Sequence, residues 1–174
     1  MQSVPGANLE AFAAFPKVPG PHPGVVVIHD VTGFREDTAR HCRRFAEAGF
    51  AAVAPDLYGG FAPRCVIRTV TALAAGRSHP DLEAVRTWFA GLPQVDAGRI
   101  GVTGFCMGGG FALLAAASGN YAVAGPFYGS VPRRADGLKH LCPTIAQAGS
   151  QDLLFRAAAR RLESHLSAMG IDGE

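Results

Sequence analysis

A chain of 174 residues, 48% of them apolar, is long enough to bury one sizeable core and too apolar to stay disordered. Its formal charge of +2, with no run of Lys or Arg, offers no footing for nucleic acid. No apolar stretch reaches the length of a membrane span, and residues 1–6 have neither the basic nor the apolar part of a signal peptide.

These features predict a single domain over residues 1–174, placed in the cytoplasm where thiols stay reduced. Cys42, Cys65, Cys106 and Cys142 are widely spaced with no C-x-x-C, and the six histidines form no H-x-x-x-H. Neither a metal nor any other cofactor is therefore expected.

In chain order, residues 9–15 read as a weak strand and 16–24 as a Pro/Gly loop. Residues 24–30 carry the unbroken run Val25-Val26-Val27-Ile28, which predicts a central strand buried on both faces. A loop and helix follow over 33–49, with Ala39, Cys42, Phe45 and Ala46 as the apolar stripe and Gly49 as the stop. Residues 50–54 predict a second buried strand, ended by Pro55-Asp56-Leu57-Tyr58-Gly59-Gly60.

Within 61–78 only a short helix near 69–75 is legible. A clearer helix starts at Pro80, where Leu82, Val85, Phe89 and Leu92 repeat at helical spacing. Residues 99–103 predict a strand and 111–118 a helix. Strands over 121–127 and 143–148 follow, then a helix over 154–169 stopped by Gly170. Alternating strands and helices predict a mostly parallel sheet with helices on both faces, a three-layer α/β sandwich. Ligands of such sheets bind beyond the carboxyl ends of the strands. That rule singles out His29-Asp30-Val31, residues 55–58, Cys106-Met107, Tyr128 and Asp152.

Between a strand and a helix lies Gly104-Phe105-Cys106-Met107-Gly108, the nucleophile-elbow pattern with cysteine at its centre. Such a turn crowds its central residue, so the positions two away must lack a Cβ. The helix that follows presents its positive end and free N–H groups to charge developing there. The alternative is a small buried cysteine in a tight turn. The glycine spacing does not supply the dinucleotide fingerprint, and no Lys-Ser or Lys-Thr completes a phosphate loop.

Five segments, taken together, resemble the dienelactone hydrolase (carboxymethylenebutenolidase) family of the α/β-hydrolase fold. They are residues 25–30, residues 50–58 ending in Ala-Pro-Asp-Leu-Tyr, Gly-Phe-Cys-Met-Gly-Gly at 104–109, Phe127-Tyr128-Gly129 and Gly149-Ser150-Gln151-Asp152. The resemblance implies a Cys-His-Asp hydrolase of lactones or small esters, with Cys106 as nucleophile and Asp152 as the acid that orients the histidine. It implies oxyanion donors at the backbone N–H of Met107 and Val31. Asp30 stands where the family usually carries a glutamate that holds the resting thiol. Tyr58 and Tyr128 are implied pocket walls, and Arg64 is a candidate for a substrate carboxylate because Gly59-Gly60 replaces an arginine found there in some members. Each has a plainer alternative: Asp152 and Asp30 as helix caps, the tyrosines as packing.

The family's catalytic histidine follows one further strand beyond the Asp152 helix, and residues 171–174 fall where that strand would start. The domain is therefore expected to be truncated at its C-terminus, with an exposed sheet edge through which copies could associate. His165 reads as a position inside the last helix, and a histidine at the His29 position is structural in the family pattern. Two functional readings follow. One is a cysteine hydrolase; the other is an inactive fragment that binds ligand or is acylated only stoichiometrically on Cys106.

Overall fold

The β-branched run at 25–28 sits at the middle of the sheet. The computed structural model describes residues 1–59 and 63–173. Its elements, in order, are β1 (Gln2–Ser3), β2 (Glu10–Ala14), β3 (His22–Ile28), α1 (Glu36–Glu47), β4 (Ala51–Pro55), α2 (Pro63–Ala74), α3 (Leu82–Ala90), β5 (Val95–Phe105), α4 (Met107–Ala116), β6 (Ala124–Phe127), a 3-10 turn (Ala135–Leu138) and α5 (Leu153–Met169). The strands lie in the order β1-β2-β4-β3-β5-β6. β1 and β2 are antiparallel to their neighbours, whereas β4, β3, β5 and β6 run parallel.

Alternation along β3 divides the core in two. Val25 and Val27 face α1 and pack with Cys42, Ala52 and Ala54. Val26 and Ile28 face the other way, into a larger cluster with Val85, Phe89, Phe111, Leu113, Leu162 and Leu166. Both faces of the sheet are thus covered, which is why the run is apolar without a break. The helical spacing in α3 is explained by the same cluster. Leu82, Val85 and Phe89 are all buried there, each contributing roughly 1.5–3 kcal/mol.

The structure differs from the sequence expectations at several places. α4 begins at Met107 rather than 111, so Gly108, Gly109 and Gly110 belong to the helix. α2 is longer than its predicted core at 69–75, and β5 starts four residues early, pairing Val95 with His22. Residues 143–148 form no continuous strand. They run beside β6 with isolated parallel bridges at Thr144 and Gln147, and Thr144 also bridges Gly173. Ile145 is exposed there, so little apolar surface rewards a full ladder. Gly60 and the first two residues of the 61–78 segment lie outside the described residues. No helix among the described residues is long and apolar enough to cross a membrane.

Candidate active site

Cys106 occupies the turn between β5 and α4 with φ 53° and ψ −117°, a backbone state rare for a residue with a side chain. Its neighbours make the turn possible. A Cβ on Gly104 would overlap the Gly108 carbonyl, and one on Gly108 would overlap the carbonyls of Ile28 and His29. Glycine at both positions lets α4 press against the end of β3. The Cys106 N–H donates to the Phe127 carbonyl at 3.0 Å, and the Cys106 carbonyl accepts the first α4 bond, from Gly110 N–H at 3.2 Å. Met107 is the first residue of α4, where an N–H has no acceptor within the helix.

The ends of neighbouring strands surround this turn. Beyond β3, the Asp30 carboxylate accepts from Thr32 N–H at 2.7 Å and from the Thr32 hydroxyl at 2.6 Å. Among the described residues no hydrogen bond joins Asp30 to Cys106. The Asp30 carboxylate bonds within its own loop. Val31 is 43% exposed. Beyond β6, Tyr128 also has a positive φ, 39°, and its N–H donates to the Gln147 carbonyl at 2.7 Å.

A cleft of about 820 Å³ opens beside the turn, lined by His29, Asp30, Arg35, His41, Phe105 and Tyr128 among others. Cys106, half-buried, follows Phe105 directly but is not itself a lining residue. Of the predicted strand ends, those at His29-Asp30 and Tyr128 reach the cleft, as does Gly149 of the segment before Asp152. Tyr58 does not. It is 1% exposed and borders a second cleft of about 720 Å³ with Asp56, Cys65 and Arg68. Its hydroxyl lies 3.2 Å from the Val31 carbonyl and 3.0 Å from the Met107 sulfur. Burial pushes the Tyr58 hydroxyl up to about 12, helped by the charges of Asp30, Cys106 and Asp56. Tyr128 is raised by burial and by Cys106 and Asp30. The two tyrosines, the thiol and the carboxylate therefore share one electrostatic neighbourhood.

Asp152 and Arg64 sit differently. Asp152 Oδ1 accepts from Phe155 N–H at 3.1 Å, capping α5. Arg64 is exposed on α2 and lines neither cleft. The guanidinium that does line the first cleft is Arg35, whose Nε–H donates to the Thr32 carbonyl at 3.2 Å. His41 lines it too, stacked on Phe105 at 4.7 Å. Sequence reasoning passed over both, since α1 offered only its apolar stripe as a signal. His165 meets the Pro132 carbonyl at 3.2 Å. His29 is buried, with Nδ1 2.7 Å from the Asp30 carbonyl and Nε2 accepting Leu57 N–H at 3.1 Å. Among the described residues no cluster of His, Cys, Asp and Glu is suited to a metal ion.

A provisionally named carboxymethylenebutenolidase of Escherichia coli K12 is 36% identical over 126 residues, 66% of this chain and 46% of that protein. The carboxymethylenebutenolidase of Pseudomonas putida is 27% identical over 183 aligned positions, covering 93% of this chain and 74% of that one. The crystal structure of a provisionally named dienelactone hydrolase from Klebsiella pneumoniae superposes with a TM-score of 0.81 at 28% identity, covering 99% of this chain and 81% of that one. The chain spans 40–46% of the length of curated relatives that it matches above 30% identity. The family model described as "Dienelactone hydrolase family" matches residues 9–174. The chain belongs to the dienelactone hydrolase family, with the α/β-hydrolase fold.

Proposed function

We propose that this chain is a cysteine-nucleophile hydrolase of lactones or small carboxylic esters, acting through an acyl-enzyme on Cys106. The observation that carries the reading is the strained elbow. A thiol on a positive-φ residue at a strand end, immediately before a helix whose first N–H has no acceptor within the helix, is costly to maintain without a use. In the reaction the Cys106 thiolate attacks the carbonyl carbon, a C–S bond forms, and the π pair moves to oxygen. The N–H groups of Met107 and Val31 receive that oxyanion; the carbonyl re-forms as the ester C–O bond breaks and the alkoxide leaves with a proton from solvent or a base. Water then clears the thioester.

Asp152 is the candidate for orienting the base, in addition to its capping bond. Tyr128 and Arg35 supply an aromatic wall and a cation to the cleft where the acyl group would lie. Arg64, exposed on α2, would serve a substrate carboxylate only from outside it. A free-thiol nucleophile suits a reducing compartment such as the cytoplasm. Val123, Tyr128 and Ile145, exposed at the β6 side of the sheet, would be where copies associate.

A second reading is favoured by one observation. His29 engages both ring nitrogens with backbone groups, and His165 meets a backbone carbonyl. On that reading Cys106 is acylated once and not cleared. Mixing the chain with para-nitrophenyl acetate, beside a Cys106→Ala control, separates the two. Sustained Cys106-dependent release supports the hydrolase, whereas a single equivalent supports stoichiometric acylation. Release that survives Cys106→Ala would sink both.

A further inference from the structure

The hydrogen bonds of the loop after β3 gather on two adjoining peptides, Asp30–Val31 and Val31–Thr32. The Asp30 carbonyl and the Val31 N–H belong to the same planar, trans peptide, so they point in opposite directions. Whatever fixes the carbonyl fixes the N–H. The carbonyl receives Gly33 N–H at 3.2 Å and lies 2.7 Å from His29 Nδ1. The role of Nδ1 is set by the other nitrogen. Nε2 faces the Leu57 N–H at 3.1 Å and must accept, so the proton resides on Nδ1 and is donated to Asp30.

The imidazole is 1% exposed, and the Tyr58 ring meets it edge-on with centroids 4.9 Å apart. Tyr58 acts on the next peptide, whose carbonyl (Val31) lies near its hydroxyl and whose N–H (Thr32) donates to the Asp30 carboxylate. The same hydroxyl reaches the sulfur of Met107. Both residues with candidate oxyanion N–H groups are therefore tied to one buried His-Tyr pair, which is itself anchored to the end of β4 through Leu57.

We propose that His29 is a positioning residue for acyl transfer: it holds the Asp30–Val31 peptide so that the Val31 N–H faces the oxyanion forming above Cys106, with Tyr58 securing the adjoining peptide. This rests on the Cys106 acyl-enzyme reading and extends it. The His29 ring is buried, moves no proton in this account, and acts through the peptide it holds. Its effect is confined to steps in which a carbonyl oxygen gains charge, since an oxyanion donor works only when preorganised.

The test compares two reactions of the same thiol. Acylation by para-nitrophenyl acetate passes through an oxyanion, whereas alkylation by iodoacetamide at a saturated carbon does not. His29→Leu removes both bonds, His29→Asn keeps an N–H close to the Nδ1 position, and Tyr58→Phe removes one hydroxyl with almost no change of shape. We expect the acylation burst to slow about tenfold or more in His29→Leu and Tyr58→Phe, and His29→Asn to recover to within about threefold of the parent. Alkylation should stay within about twofold throughout, the signature that a merely structural role would not give. Unchanged acylation in Tyr58→Phe and His29→Leu would overturn the proposal, as would a parallel loss of alkylation. If His29→Leu does not fold, the Tyr58→Phe and His29→Asn pair decides. A burst absent from the parent, or surviving Cys106→Ala, would instead overturn the acyl-enzyme reading and this proposal with it.

Discussion

The Cys106 N–H donates to the Phe127 carbonyl across 3.0 Å, so the elbow is fastened to the next strand at the residue where the chain takes a positive φ. That fastening and the close approach of α4 depend on Gly104 and Gly108, whose added Cβ atoms would meet backbone rather than movable side chains. Gly108→Ala is expected to lower stability by about 3 kcal/mol or more, because no rotamer change relieves a backbone overlap. Thermal and denaturant melts check this. A variant as stable as the parent would mean that α4 can lift from β3 freely.

Three of the four thiols should react in a fixed order. Burial pushes the Cys42 thiol up to about 12 and raises Cys142 as well. Cys106 is half-buried at the turn. Labelling with a disulfide reagent near neutral pH, followed by peptide mapping, should modify Cys106 before Cys142 and reach Cys42 only after unfolding. The fastest phase should vanish in Cys106→Ala.

Stability should fall on mild acidification. Burial holds His29 and His79 below the ordinary imidazole value of 6.5. Asp30 and Asp56 oppose this at His29. At His79, Asp81 opposes it while Arg68 and His29 add to it. The folded chain thus binds these protons less readily than the unfolded chain. Their full contribution is present above about pH 6.5 and is lost as pH falls towards the folded values. Denaturant midpoints measured from about pH 8 to about pH 5 should drop, and drop less steeply in His79→Gln, which cannot titrate.

Asp152 can be divided into its two assignments. Its bond from Phe155 N–H is a helix cap, so Asp152→Ala should cost about 1 kcal/mol and Asp152→Asn only a few tenths. Denaturant midpoints of the pair report what the uncharged Asn retains of that stability. Slower ester turnover in the stable Asp152→Asn form would then report on its charge.

What was legible in the sequence follows from burial. Val25-Val26-Val27-Ile28 announced a two-sided strand because both faces are covered, and Leu82, Val85 and Phe89 announced α3 because one face is. β1 is two exposed residues whose pairing is backbone only, so no side-chain pattern could reveal it. The start of α4 was misplaced because three successive glycines oppose a helix by about 1 kcal/mol each. Packing against β3 and β6 overrides that preference, as the overlaps at Gly108 and Gly109 show. The elbow itself could be read, since its glycines are fixed by sterics. The bond from Leu57 to His29 and the bond from Tyr58 to the loop could not, because they join residues that are brought together only when β3 and β4 pair.

The central claim is that Cys106 becomes the acyl carrier. Intact-mass analysis of the chain within the burst phase after mixing with para-nitrophenyl acetate, followed by peptide mapping, tests it directly. The account predicts a gain of one acetyl group, confined to the peptide bearing Cys106 and absent from Cys106→Ala. An acetyl group that appears only on Cys65, Cys142 or a lysine, or that forms equally in Cys106→Ala, would contradict it.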